Sequence, residues 1–271
     1  MKTCMNTITV GGEKSLTETI RLVSKYGFEA IEIASDRIDD YLKTGSMDDL
    51  AGEIKSAGLD VAAIMAFSLN AFGDVSRSLA TLGINARRIT SLGGETLLVY
   101  IVETPPEGTS RDDAIKAYGE AARKYGEAAG DFGAKIALEL IGGHSVIRTP
   151  KDALDVADAS GLANVGIMMD TFHYYKSGIS PDQVRAVPVE RMFIVHVNDC
   201  KDLPFEELND SHRIHCGQGI LPLKEYLSAL KAIGYEGYLS VEIFNSDYWA
   251  DEPEKVVRET KEALDGVLAT V

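Results

Sequence analysis

At 271 residues with 45% hydrophobic side chains, the chain is long enough for one large core or two small ones. Its formal net charge of -15 argues against nucleic acid or an anionic membrane as partner, because phosphate surfaces need clustered Lys and Arg. Cys4, Cys200 and Cys216 are an odd number without C-x-x-C spacing, which favours reduced structural thiols over a disulfide framework or a thiolate zinc site. No apolar run reaches signal-peptide or membrane-span length, so the expected location is the cytoplasm, with no membrane association.

In chain order, short β-type runs fall near residues 3–9, 29–34, 60–66, 96–102, 134–140, 164–170, 192–197 and 238–243. Amphipathic segments lie between them, and several carry N-terminal signals: Ser15 with Glu18, Ser46 with Asp49, Ser110 with Asp113, and Thr149 before Pro150. Gly27, Gly58, Gly93, Gly133, Gly161 and Gly234 each stand where a helix should end in a left-handed residue. The repeating unit is strand, loop, helix, glycine. Alternation alone also fits an open doubly wound sheet. Eight strands with polar residues at the carboxyl ends of the last four favour a single-domain (β/α)8 TIM barrel over residues 1–271, since closure brings those ends to one mouth. The segment from Val197 to Gly219 is too long and aperiodic for a linker, and it is expected to cover that mouth.

Glu139, Asp170, His196 and Glu242 close four of the strand-like runs, in the contexts ALELIG, IMMDTFH, FIVHVND and SVEIFN. Any one of them alone reads equally well as a strand-end group in a salt bridge. Together, three carboxylates and an imidazole are costly to desolvate and are best compensated by one divalent cation, Mn²⁺ or Zn²⁺ first, Mg²⁺ or Co²⁺ next. Such a set leaves coordination positions for a substrate carbonyl and a neighbouring hydroxyl. His173, three residues beyond Asp170, is placed to hydrogen-bond a substrate oxygen, and Arg213 to hold one with two parallel donors. His144, Asn6, Phe67, Tyr248 and Trp249 are candidates for the pocket wall, where aromatic faces suit the C–H face of a sugar. Phe205 and Trp249 serve equally as contacts of a homodimer, and His212 and His215 have no assigned role. No Lys ends a strand, which argues against Schiff-base chemistry. The loops after the seventh and eighth strands lack a glycine-rich amide nest, so the substrate is expected to be unphosphorylated.

These residues resemble the xylose-isomerase-like superfamily of sugar isomerases and epimerases. The likeness extends along the chain through MKTCMN, IEIASD, KIALELIG, NVGIMMDTFHYYKSG, FIVHVNDCKDLPFEELNDSHRIHCGQG, LSALKAIGY and SVEIFNSDYW. The long loop looks most like the inosose isomerase (2-keto-myo-inositol isomerase) group: Arg213 keeps the superfamily spacing, Gln218 stands where the wider superfamily has Glu, and Cys216 where Pro is commoner. The resemblance implies a (β/α)8 barrel with Glu139, Asp170, His196 and Glu242 as metal ligands. It also implies Glu139 and Glu242 as the catalytic acid/base pair, with His173 and Arg213 on substrate oxygens. The implied reaction is isomerisation of a ketoinositol through a metal-stabilised enediolate. Ketose 3-epimerisation and inosose dehydration would draw on the same residues. An apurinic endonuclease, needing three zinc ions and a basic rim, fits poorly with 5 His and the acidic charge, and a non-catalytic sugar-binding barrel leaves the open metal set unexplained.

Overall fold

The computed structural model describes the backbone of residues 1–271 and every side chain except that of residue 66. Strands β1 (Lys2–Asn6), β2 (Ala30–Ala34), β3 (Asp60–Ser68), β4 (Thr96–Ile101), β5 (Lys135–Leu140), β6 (Val165–Asp170), β7 (Met192–Val197) and β8 (Tyr238–Val241) are all parallel. They close in the order β1-β8-β7-β6-β5-β4-β3-β2. Helices between the strands form the outer layer, as the sequence predicts for a TIM barrel.

Both faces of these strands are buried, yet the period of two still sorts their residues. Met5, Ile31, Ile33, Ile136, Leu138, Ile167, Met169, Val195 and Val197 join the large core beneath the helices. Alternate positions form a separate, smaller cluster inside the barrel, with Cys4, Ala30, Ala62, Ala137, Met168 and Ile194 among its members. On five of the strands these inward positions lead to a polar one nearer the mouth: Asn6, Glu32, Glu139, Asp170 and His196. Apolar burial outside therefore supplies stability, at about 1.5–3 kcal/mol for each fully buried Ile or Leu, while the inner column carries the chemistry.

The four predicted helix starts are side-chain caps in the structure. Ser15, Ser46, Ser110 and Thr149 accept backbone bonds from Glu18, Asp49, Asp113 and Asp152, and Pro150 occupies the first turn. The six predicted glycines all have positive φ, between 69° and 83°. The segment after β7 is built rather than loose. Asp199–Cys200 pairs antiparallel with Arg213–Ile214, and a one-turn 3-10 helix at Asp210–His212 is capped by Asn209. The buried Asp199 carboxylate accepts from the backbone N–H groups of Cys200, Gly217, Gly219 and Leu221.

Candidate metal centre

Strand register sets the site. Asp170 on β6 is the partner of His196 on β7, and Tyr100 on β4 the partner of Glu139 on β5. Glu242 directly follows β8. One donor atom from each of Glu139, Asp170, His196 and Glu242 lies within 4.8 Å of the others, and all four residues are buried. Ligand bonds of about 2.0–2.2 Å set opposite donors roughly 4.2 Å apart, so a small inward shift gathers these atoms on one cation. Asp170 is also pinned from behind, since its Oδ1 caps the following short helix by accepting from the N–H groups of Phe172 and His173.

The electrostatics suit a cation. Burial, together with the neighbouring Glu242 charge, pushes the Glu139 carboxyl well above its usual range. Burial opposes charge on His196, but Glu242, Glu32 and Asp170 outweigh it and raise the imidazole well above its usual value. Burial likewise opposes ionisation of Asp170, yet Arg213 and His196 hold it well below the carboxylate range. Without a cation these surroundings favour the protonated forms of Glu139 and His196, so a divalent ion would compete with protons for the cluster. Nδ1 of His196 faces Glu242 Oε2 at 3.1 Å and Asp170 Oδ2 at 3.7 Å and makes no hydrogen bond of acceptable geometry. It is the nitrogen available to a metal. The donor set and this orphaned atom fit the ion implied by the sequence.

Arg213, 1% exposed, closes the site from the long loop. Its Nη1 donates to Asp170 Oδ2 at 2.9 Å and Glu242 Oε2 at 2.6 Å, and its Nη2 to Asp210 Oδ1 at 2.6 Å and His173 Nε2 at 3.1 Å. The rings of Phe172 and Phe244 lie 5.1 and 5.4 Å from the guanidinium carbon. Burial lowers the pKa of His173, favouring a neutral ring that accepts from Arg213. A cavity of about 470 Å³ opens over these groups, and Glu139, His173, Asp210, Ser211, Arg213 and Glu242 form its polar wall. Met65, Tyr100, Val102, Ile141 and Phe244 form the apolar one.

The structure brings Glu139, Asp170, His196, Glu242, His173 and Arg213 together. Asn6 stands behind them, donating to Glu242 Oε1 at 3.3 Å and to Met65 Sδ at 2.8 Å. His144, Phe67 and Trp249 are not among the cavity-lining residues. His144 Nδ1 accepts from the N–H groups of Val146 and Ile147, with Nε2 against the Glu103 carbonyl, stitching the loop after β5. Phe67 lies in the outer core, and Trp249 donates to the Ile8 carbonyl. Tyr100, Ile141 and Phe244 take the wall positions expected of those residues. Sequence reasoning also missed Asp199, Asp210 and Glu32. Glu32 alone carried a readable signal, a charge inside the apolar strand AIEIA.

The family model of the xylose isomerase-like TIM barrel matches residues 20–267. The chain belongs to this family. Among relatives, it is 28% identical to the inosose isomerase of Bacillus velezensis, covering 97% of each chain, and 26% identical to that of Bacillus subtilis, covering 99% and 98%. A 3-dehydroshikimate dehydratase of Pseudomonas aeruginosa is 27% identical over 92% of this chain and 39% of its own length. Among solved structures, the IOLI protein with a bound zinc atom superposes with a TM-score of 0.89 at 26% identity, covering 99% of this chain and 98% of that one.

Proposed function

We propose that the chain is a divalent-metal-dependent isomerase of an unphosphorylated ketoinositol of the 2-keto-myo-inositol type. The observation that carries this reading is the four-donor cluster at the floor of the 470 Å³ cavity, with two of its carboxylates, Glu139 and Glu242, also in the cavity wall. Full-length similarity to inosose isomerases supports the substrate class.

A divalent cation held by Glu139, Asp170, His196 and Glu242 supplies Lewis-acid polarisation of a carbonyl and its neighbouring hydroxyl. The chain's own groups do the rest. Glu139 is the penultimate residue of β5 and Glu242 follows β8, strands separated in the barrel by β6 and β7, so their carboxylates reach the cavity from different sides. One takes the proton from the hydroxyl-bearing carbon beside the carbonyl and the other delivers a proton to the former carbonyl carbon, while the hydroxyl proton of the first carbon passes to the former carbonyl oxygen, so that the carbonyl moves by one carbon. Arg213, 2.6 Å from Glu242 Oε2, and His173, 3.8 Å from Glu139 Oε1, orient the substrate hydroxyls. The apolar wall from Met65 to Phe244 packs against C–H faces and keeps bulk water from the reacting carbons.

The test is product analysis by NMR on a panel of ketoinositols and free ketoses, with the chain loaded with Zn²⁺ or Mn²⁺ and again after chelation. Conversion of one ketoinositol to its positional isomer only with metal supports the reading. Turnover confined to free ketoses would replace it with a 3-epimerase, and release of water with a new enone absorbance with a dehydratase.

A further inference from the structure

Glu32 is a carboxylate with no solvent and one partner. It is 0% exposed, inside the barrel on β2, and its only ion-pair partner among the described residues is His196 on β7. These strands are not neighbours in the barrel, being separated by β1 and β8, so the contact crosses the interior. Both oxygens converge on the same nitrogen, with Oε1 3.0 Å and Oε2 2.9 Å from His196 Nε2. A buried carboxylate with a single histidine partner is poor value for stability, since removing two charges from water costs several kcal/mol and well-packed apolar residues would do as well. The inward positions on its own strand, Ala30 and Ala34, are small and apolar, as is the neighbouring Cys4.

We infer that Glu32 is a positioning residue for the metal centre, holding the proton of His196 on Nε2 so that Nδ1 presents its lone pair to the cluster of Glu139, Asp170 and Glu242. The inference rests on the proposed metal reading and adds to it the group that aims the only nitrogen ligand. Nδ1 faces two of the carboxylates, while Nε2 faces only Glu32. A histidine that binds metal through one nitrogen and donates the other N–H to a carboxylate gains basicity and a fixed ring orientation.

The experiment measures Zn²⁺ affinity by chelator competition for the wild type, Glu32→Gln and Glu32→Leu, with thermal melting of each metal-free protein. Long-range ¹H–¹⁵N NMR of the Zn²⁺-loaded forms reports the state of each His196 nitrogen. Gln can still accept from Nε2–H, so Glu32→Gln is expected to weaken Zn²⁺ by about 10-fold and Glu32→Leu by up to about 100-fold. The wild-type spectrum is expected to show Nε2 protonated and Nδ1 metal-bound. Wild-type Zn²⁺ affinity in a folded Glu32→Gln protein would overturn the inference, as would Nε2 as the ligated nitrogen. If Glu32→Leu fails to fold, Glu32→Gln and the wild-type spectrum decide alone. A wild type that binds no Zn²⁺ would instead remove the metal reading itself.

Discussion

Arg213 Nη1 lies 2.9 Å from Asp170 Oδ2 in a space that admits almost no solvent, and the same nitrogen reaches Glu242 Oε2 at 2.6 Å. One guanidinium thus offsets two buried carboxylates. Removing it leaves charge uncompensated, which typically costs about 3–5 kcal/mol. Arg213→Met is expected to lower the stability of the metal-free chain by that order, with added Zn²⁺ restoring part of it because the cation takes over the compensation. Urea unfolding with Zn²⁺ and with chelator measures both quantities. Equal loss in the two conditions would separate Arg213 from the metal cluster.

Glu139→Gln and Glu242→Gln preserve shape while removing the proton-carrying carboxylate. Each is expected to lower kcat by at least about 100-fold, within the range general acid–base groups contribute. Asp170→Asn, by contrast, is expected chiefly to weaken metal binding, and excess metal should recover much of its turnover. Steady-state kinetics across a metal titration distinguishes the cases. Full turnover by metal-loaded Glu242→Gln would rule out the two-carboxylate mechanism.

Asp199 gathers four backbone N–H groups and so holds the ribbon that carries Arg213. Hydrogen bonds to a charged acceptor are worth about 1.5–3 kcal/mol each, although losses within one network are not additive. Asp199→Ala is expected to cost at least about 2 kcal/mol and to lower kcat/KM by 10-fold or more through a displaced Arg213. Gly219→Ala should act similarly, because a Cβ there would stand 2.0 Å from the Cys200 carbonyl oxygen. Urea melts and kinetics on both variants provide the check.

His215 stacks on Tyr248 with centroids 4.4 Å apart, its Nε2 lies 3.2 Å from Thr260 Oγ1, and burial lowers its pKa to about 4. The unfolded chain, with a histidine near 6.5, then binds more protons than the folded one between those two values. Stability from this group is full above about pH 6.5 and is lost as pH falls toward about 4, by at most about 3 kcal/mol. His215→Gln should flatten that part of the pH–stability curve, measured by urea midpoints from pH 7 to 4. An unchanged slope would mean that His215 is not buried in its neutral form.

The barrel and the four-donor cluster were legible because both rest on local rules. Caps such as Ser46 and Thr149, positive-φ glycines such as Gly58 and polar strand ends such as Asp170 each announce themselves within a few residues. The pocket wall was not legible in the same way. Phe244 rather than Phe67 or Trp249 lines the cavity, because aromatic side chains near a strand end can turn to either side and only tertiary packing decides. Glu32 and Asp199 were missed for a related reason. The Glu32 partner lies 164 residues away and three of the four Asp199 donors 18 to 22, so their worth depends on closure of the barrel and folding of the long loop.

Solvent-proton exchange tests the central claim most directly. The Zn²⁺- or Mn²⁺-loaded chain is incubated in D₂O with the ketoinositol it converts, and the recovered sugar is examined by NMR and mass spectrometry. The expected result is deuterium at a carbon adjacent to the carbonyl, lost with chelator and strongly reduced in Glu242→Gln. Isomer formed without any solvent deuterium, or exchange that survives chelation, would contradict a metal-dependent proton transfer between two carboxylates.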